Sequence, residues 1–282
     1  MQPTHIFTNG CSFLTQRPKE GVMTHVGMEL AKQMELQEAR HLGAGGRGNK
    51  RLSVTTKVWC QKNPALVKKC FFVIGITSGL RIDYPRSDNH KKHKFPEFNT
   101  AWNSYKPHEN IRTEEFFKHY VVENALCLDQ MAHYESLEAT LNLQNFFKVQ
   151  KYPYVMYKTL ADPQLQARRQ VTHKDIRRLE SLIDKDRYFN YGTSHLEYTE
   201  NNQQHCAPDD HHPSPAGHRD WATQLKEFID ANDLRTIYIG LDCLKIKARS
   251  KVQSTLDKKY TFKKYTLYKK YTRSVLPGLV TK

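Results

Sequence analysis

The chain has 282 residues, with 44 Lys and Arg against 29 Asp and Glu, for a formal net charge of +15. Its mean hydropathy is −0.73, yet 13 Phe, 15 Tyr and 3 Trp supply bulky groups for a core, which excludes wholesale disorder. No stretch holds the roughly 18 uninterrupted apolar residues of a membrane helix, and the opening MQPTHIFTNG lacks the basic-then-apolar pattern of a secretory signal.

In chain order, His5–Thr8 followed by Asn9-Gly10 reads as a strand ending in a sharp turn. Val26, Leu30 and Met34 recur at helical spacing and predict an amphipathic helix over about 23–36. A glycine-rich turn follows, Gly43-Ala44-Gly45-Gly46-Arg47-Gly48, and after it Leu52, Thr55 and Trp59 share one helical face. Cys70–Ile76 is a continuous apolar run, the pattern of a strand buried on both faces of a parallel sheet. The polar stretch Asp83–Asn110, with three prolines, reads as a loop or lid at the start of an insert over about 83–150. Thr113 caps a predicted helix over about 114–148, Tyr154–Lys158 reads as a strand, and Thr172 caps another helix. Residues 184–209 are polar and read as loop. Ser214-Pro215 is a strong helix start, with Trp221, Ala222, Leu225, Phe228 and Ile229 on one face. Thr236–Gly240 reads as an edge strand. The alternation of strands and helices predicts an α/β fold, a flavodoxin-like three-layer α/β/α domain over 1–244 with a mainly parallel sheet.

The charge is unevenly placed. Residues 245–282 hold 12 basic residues and one acid, Asp257, and repeat Lys-Lys-Tyr-Thr at 258–261, 263–266 and 269–272. This basic C-terminal arm suits docking onto an acidic protein surface, and lysines interleaved with tyrosines equally suit nucleic acid. Six widely spread cysteines without a C-x-x-C pair look like free thiols of a reducing compartment.

Three segments fall where strand ends should lie. Gly10-Cys11-Ser12 follows the first strand, so Ser12 sits at the carboxyl edge of the sheet, where open α/β sheets bind ligands. The glycine-rich stretch ending in Asn49 offers backbone N–H groups to a developing oxyanion. Asp209-Asp210-His211-His212-Pro213-Ser214 precedes the last helix, and an Asp three residues ahead of a His orients an imidazole that deprotonates a serine. Cys11 is a rival nucleophile beside Ser12. His205, Cys206, Asp209, Asp210, His211, His212 and His218 are rich in metal-ligand types, but no pair has the regular spacing of a zinc site, and no metal is expected.

The order Gly-x-Ser, glycine block, apolar strand ending in Gly, then Asp-x-x-His-Pro resembles the SGNH hydrolase superfamily of GDSL-type esterases over roughly residues 4–232. Thr-Asn-Gly-Cys-Ser-Phe is similar to members encoded by bacteriophages. The resemblance implies Ser12 as nucleophile, His212 as base, Asp209 as its orienting acid, and N–H groups of Gly46 and Ser12 in an oxyanion hole, with no cofactor. Two positions depart from the pattern: Cys11 stands in place of an Asp, and Gly75-Ile76-Thr77-Ser78 replaces Gly-x-Asn-Asp. Thr77, Ser78 or Asn49 would then supply the missing donor. The expected activity is a serine esterase or deacetylase acting on an acyl ester such as an O-acetylated polysaccharide. The alternative is a catalytically weak structural protein of a phage virion, anchored through its arm to a protein partner. A second alternative is a nucleic-acid-binding protein. A cytoplasmic or virion-associated location is expected in each case.

Overall fold

The computed structural model describes residues 2–79, 81–85, 102–105, 128–160 and 174–236. Its centre is the apolar run noted above: Cys70–Ile76 forms strand β3, buried at all seven positions. Before it come β1 (His5–Asn9), α1 (Val26–Gln33), β2 (Gln37–His41), α2 (Asn49–Lys62) and the short α3 (Pro64–Val67). After it come β4 (Ile82–Pro85), β5 (Trp102–Tyr105), α4 (Leu128–Gln150), β6 (Tyr154–Lys158), α5 (Lys174–Glu180), β7 (Tyr188–Phe189), α6 (His195–Asn201), β8 (His205–Ala207), β9 (Asp210–Pro213) and α7 (Pro215–Ala231). The main sheet has five strands in the order β2-β1-β3-β6-β7, and every neighbouring pair is parallel.

Alternation along the strands builds two cores, because successive side chains leave opposite faces of a strand. Phe7, Phe72 and Ile74 face Leu52 and Trp59 of α2 and Leu141 and Phe147 of α4. Ile6, Phe71 and Val73 face Val26 and Leu30 of α1 and Trp221, Leu225 and Ile229 of α7. The result is a three-layer α/β arrangement. Phe72 is the centre of the first core: it is fully buried, with ring centroids 5.0 Å from Phe147, 5.2 Å from Phe7 and 5.5 Å from Tyr152. Phe72→Ala is expected to cost about 3–5 kcal/mol, read as a shift of the urea midpoint with an unchanged slope.

The order of strands reverses between β1 and β3. Chain leaving the carboxyl ends of these two neighbours diverges there, and the crevice between them is the ligand position of open α/β sheets.

Three expectations are corrected. The polar stretch from Asp83 is not all loop, since β4 pairs antiparallel with β5. Residues 184–209 are not loop either. Burial of Tyr188 and Phe189 places β7 beside β6, and a reciprocal capping box between Ser194 and Glu197 starts α6. A Ser followed three residues later by Glu is a helix-start signal, and it stood unused in the sequence. The long central helix is described from Leu128 to Gln150. Thr113, Thr172, residues 86–101 of the expected lid, most of the edge strand at 236–240 and the basic arm at 245–282 lie outside the described residues. No helix among the described residues is long and apolar enough to cross a membrane.

Candidate active site

Ser12 begins a single 3-10 turn, Ser12–Leu14, directly after β1. Phe13 and Leu14 are buried and anchor this turn, so the Ser12 side chain is presented at the carboxyl edge of the sheet. His212 lies 200 residues later, on β9, and its Nε2 accepts from Ser12 Oγ at 2.8 Å. Nδ1 of the same ring donates to Asp210 Oδ1 at 2.5 Å, and the His212 backbone N–H donates to that oxygen at 3.0 Å. With the Nδ1 proton held by the carboxylate, the Nε2 lone pair points at the serine. The Phe13 ring packs against the imidazole at 4.9 Å between centroids.

The acid of this arrangement is Asp210, where the sequence pattern pointed to Asp209. The cause is strand geometry. Asp210 and His212 are two apart on β9, and residues i and i+2 leave the same face. Asp209 sits in the turn before β9 and is exposed. The intervening residue leaves the opposite face: His211 is largely solvent-facing and meets Glu200 at 3.3 Å.

Arg17 completes the outer end of the chain of contacts. Its Nη2 lies 2.7 Å from Asp210 Oδ2 and 3.0 Å from Glu20. Two backbone hydrogen bonds between Arg17 and Val22 close the loop that carries it. Burial works to raise the Asp210 carboxyl, but hydrogen bonds from the His212 ring, the His212 N–H and the Cys206 thiol outweigh it and hold the group at about 2. Burial lowers His212. The hydrogen bond to Asp210 opposes this, while the cations Arg17 and Arg81 reinforce it. The imidazole is therefore neutral at pH 7, the form a general base requires.

The glycine-rich loop lies alongside the serine. A Cβ on Gly45 would come to 4.0 Å from Ser12 Cβ. Gly46 has φ +73°, a left-handed conformation that glycine adopts without strain. Asn49 does not offer the side-chain donor anticipated for it, and the Thr77 backbone N–H is taken as well. Asn49 Oδ1 accepts the Thr77 N–H at 2.9 Å, and its Nδ2 donates to the Thr77 carbonyl at 2.8 Å and to Ser136 Oγ at 3.2 Å. The amide thus ties the start of α2 to the chain after β3, and both candidate N–H groups are consumed. Thr77 retains its buried hydroxyl, which has no hydrogen-bond partner. The backbone of the Gly45-Gly46 turn lies next to Ser12, and the Thr77 hydroxyl remains an unspent donor.

Cys11 is buried, with its Sγ 3.2 Å from Thr159 Oγ1, and so faces the core and is no rival to Ser12. His218 is buried near His195, with ring centroids 5.8 Å apart. The histidine-rich segment is thus divided among the dyad, the core and the surface, and does not converge on one point.

Among the described residues, His25, Glu38 and His41 bring potential ligand atoms within 4.8 Å of one another. The donor set does not suit a cation. The two rings stack at 3.9 Å between centroids, which aims their lone pairs side by side. In addition, His25 Nδ1 accepts the Met28 N–H at 3.3 Å, whereas a histidine ligating through Nε2 carries its proton on Nδ1.

Sequence reasoning missed Asp210 as the orienting acid and missed Arg17 and Arg81; it counted Cys206 only among metal-ligand types and Gly45 only as part of the glycine-rich stretch. Asp210 stood beside the residue chosen. Arg17, Arg81 and Cys206 carry no local signal, because each is brought in by tertiary folding. In comparisons with known proteins, no family model matches this chain and no curated protein is detectably similar to it.

Proposed function

We propose that this protein is a serine ester hydrolase of the SGNH type, with Ser12 as nucleophile, His212 as general base and acid, and Asp210 as the orienting carboxylate. The reading rests on one observation, the continuous Ser12–His212–Asp210 hydrogen-bonded chain at 2.8 and 2.5 Å. Its location adds support: the strand order runs 2-1-3-4-5 when the strands of the main sheet are numbered by themselves, the flavodoxin-like order, and the dyad lies at its switch point.

Ser12 Oγ attacks the acyl carbonyl carbon while its proton passes to His212 Nε2. The imidazolium is stabilised by Asp210, and the carbonyl oxygen, now an anion, takes N–H donors from Ser12 and the Gly45-Gly46 turn. Collapse of the tetrahedral intermediate expels the alcohol, which leaves with the proton from His212. Water then attacks the acyl-serine by the same route and releases the acid, restoring Ser12.

Hydrolysis of p-nitrophenyl acetate by wild type, Ser12→Ala and His212→Ala over pH 6–9, with fluorophosphonate labelling of Ser12, tests this. Both substitutions are expected to remove turnover above background, and Ser12→Ala to remove the label. The His212 pKa is lowered from its ordinary 6.5, so the base form persists below that value and the acid limb of kcat/KM is expected under pH 6.5. Equal rates in all three proteins and no label on Ser12 would overturn the reading.

A further inference from the structure

We propose that Arg81 recognises a negatively charged group on the substrate, so that the ester this site hydrolyses carries a carboxylate, as an O-acylated acidic saccharide does. The proposal rests on the hydrolase reading and adds the substrate class.

Arg81 follows β3 by way of a turn in which its N–H donates to the Ser78 carbonyl at 3.1 Å. It therefore leaves the sheet at the same edge as Ser12, one strand over. The glycine-rich loop bridges the two. Gly45 abuts Ser12, and a Cβ on Gly48 would fall 2.0 Å from the Arg81 carbonyl oxygen, so only glycine lets the loop pass there. Gly45 and Gly48 are three positions apart, a span of at most about 11 Å, and an extended arginine side chain covers more than half of that length. Its charge adds, after that of Arg17, to the lowering of His212.

One arm of the guanidinium is unmatched. Arg81 Nη1 is shut away from solvent and has no hydrogen-bond partner, and Arg81 makes no ion pair among the described residues. A buried cationic N–H without an acceptor is costly and demands an explanation. Among the neighbouring cations, Arg17 is held by Asp210 and Glu20, and Arg47 and Arg51 lie in the field of Asp83, although Arg51 Nε is likewise buried without a hydrogen bond. A guanidinium with an unpaired Nη1 and no ion pair suits a carboxylate, which can accept from both arms of its planar fork.

The test uses the whole chain and two matched ester pairs. The first is mono-p-nitrophenyl succinate against p-nitrophenyl acetate, with the anion on the acyl side. The second is 4-acetoxybenzoate against its methyl ester, with the anion on the alcohol side. At least one anionic ester is expected to exceed its neutral partner in kcat/KM by about 10-fold to 100-fold. That ratio is expected to fall toward one in Arg81→Gln and to shrink with added salt. The ratio cancels any effect of the lost charge on His212, since both esters of a pair share it. Arg81→Lys keeps the charge without the fork and is expected to retain part of the preference, which covers the case in which Arg81→Gln does not fold. Absence of preference in wild type, or an unchanged ratio in a folded Arg81→Gln, overturns the proposal. If no ester turns over, the hydrolase reading fails separately. Calorimetric titration with glucuronate and glucose then decides: glucuronate binding that glucose does not show, and that is lost in Arg81→Gln, supports the anion site, and equal or absent binding of the two sugars overturns it.

Discussion

Asp210→Asn is expected to lower kcat/KM on an activated ester by about 10³–10⁴, whereas Asp209→Asn leaves it within about 2-fold. The two side chains are neighbours of the same charge, so any general electrostatic effect is shared and only contact geometry separates them. At position 210 the amide turns its NH₂ toward His212 Nδ1 or presents its single oxygen in competition with the backbone N–H. The first arrangement drives the ring proton onto Nε2, which then faces Ser12 as a donor and cannot accept the serine proton. Arg17 also loses the carboxylate 2.7 Å away, and its unpaired charge opposes formation of the imidazolium. Asp209 lies in the exposed turn before β9, where none of this applies. Steady-state kinetics of the two variants at pH 8, where His212 is neutral in both, provides the measurement. A loss in Asp209→Asn as large as in Asp210→Asn would reject the assignment.

Acid unfolding near pH 5 is the second large effect, and it arises away from the site. His25 and His218 are buried and His41 is half-buried, and desolvation pushes their pKa values down to about 4, about 3 and about 2. His195 is lowered by burial as well. Each folded value lies below the ordinary 6.5, so as pH falls the unfolded chain takes up these protons first. Their stability is present in full above pH 6.5 and is lost progressively as pH falls toward the folded values. At pH 5 each of the three costs about 2 kcal/mol, about 6 kcal/mol together, which is comparable with the whole stability of many domains. Urea midpoints measured from pH 7.5 down to pH 5 are expected to fall steeply below 6.5. His218→Gln, which removes one such proton, is expected to flatten the slope by about a quarter to a third. A stability that stays level between pH 6.5 and pH 5 would contradict the burial of neutral histidines in this fold.

Much of the architecture was legible before any coordinates because its causes are local. An apolar run that needs two covered faces can hardly be anything but a central parallel strand, and Cys70–Ile76 is one. The Ser214 cap, Pro215 at the first turn and the apolar face from Trp221 to Ile229 together specify α7 within a few residues of chain. Ser12 was identifiable at the end of the first strand and His212 just ahead of the Ser214-Pro215 helix start, two positions that local signals mark.

What folding alone decided involves partners far apart in the chain. The choice of Asp210 over Asp209 depends on β9 being a strand, and β9 exists only because β8 pairs with it. Arg17 meets Asp210 across nearly 200 residues, and Arg81 shares the sheet edge of Ser12 because β3 lies next to β1. Asn49 looked like a free donor in the sequence, and the tertiary structure spends its amide on the Thr77 backbone to tie α2 to the end of β3. Periodicity and caps record the free energy of neighbouring residues, and so composition and spacing reveal them. A hydrogen bond between distant side chains depends on strand order and register, which long-range packing sets and no local pattern encodes.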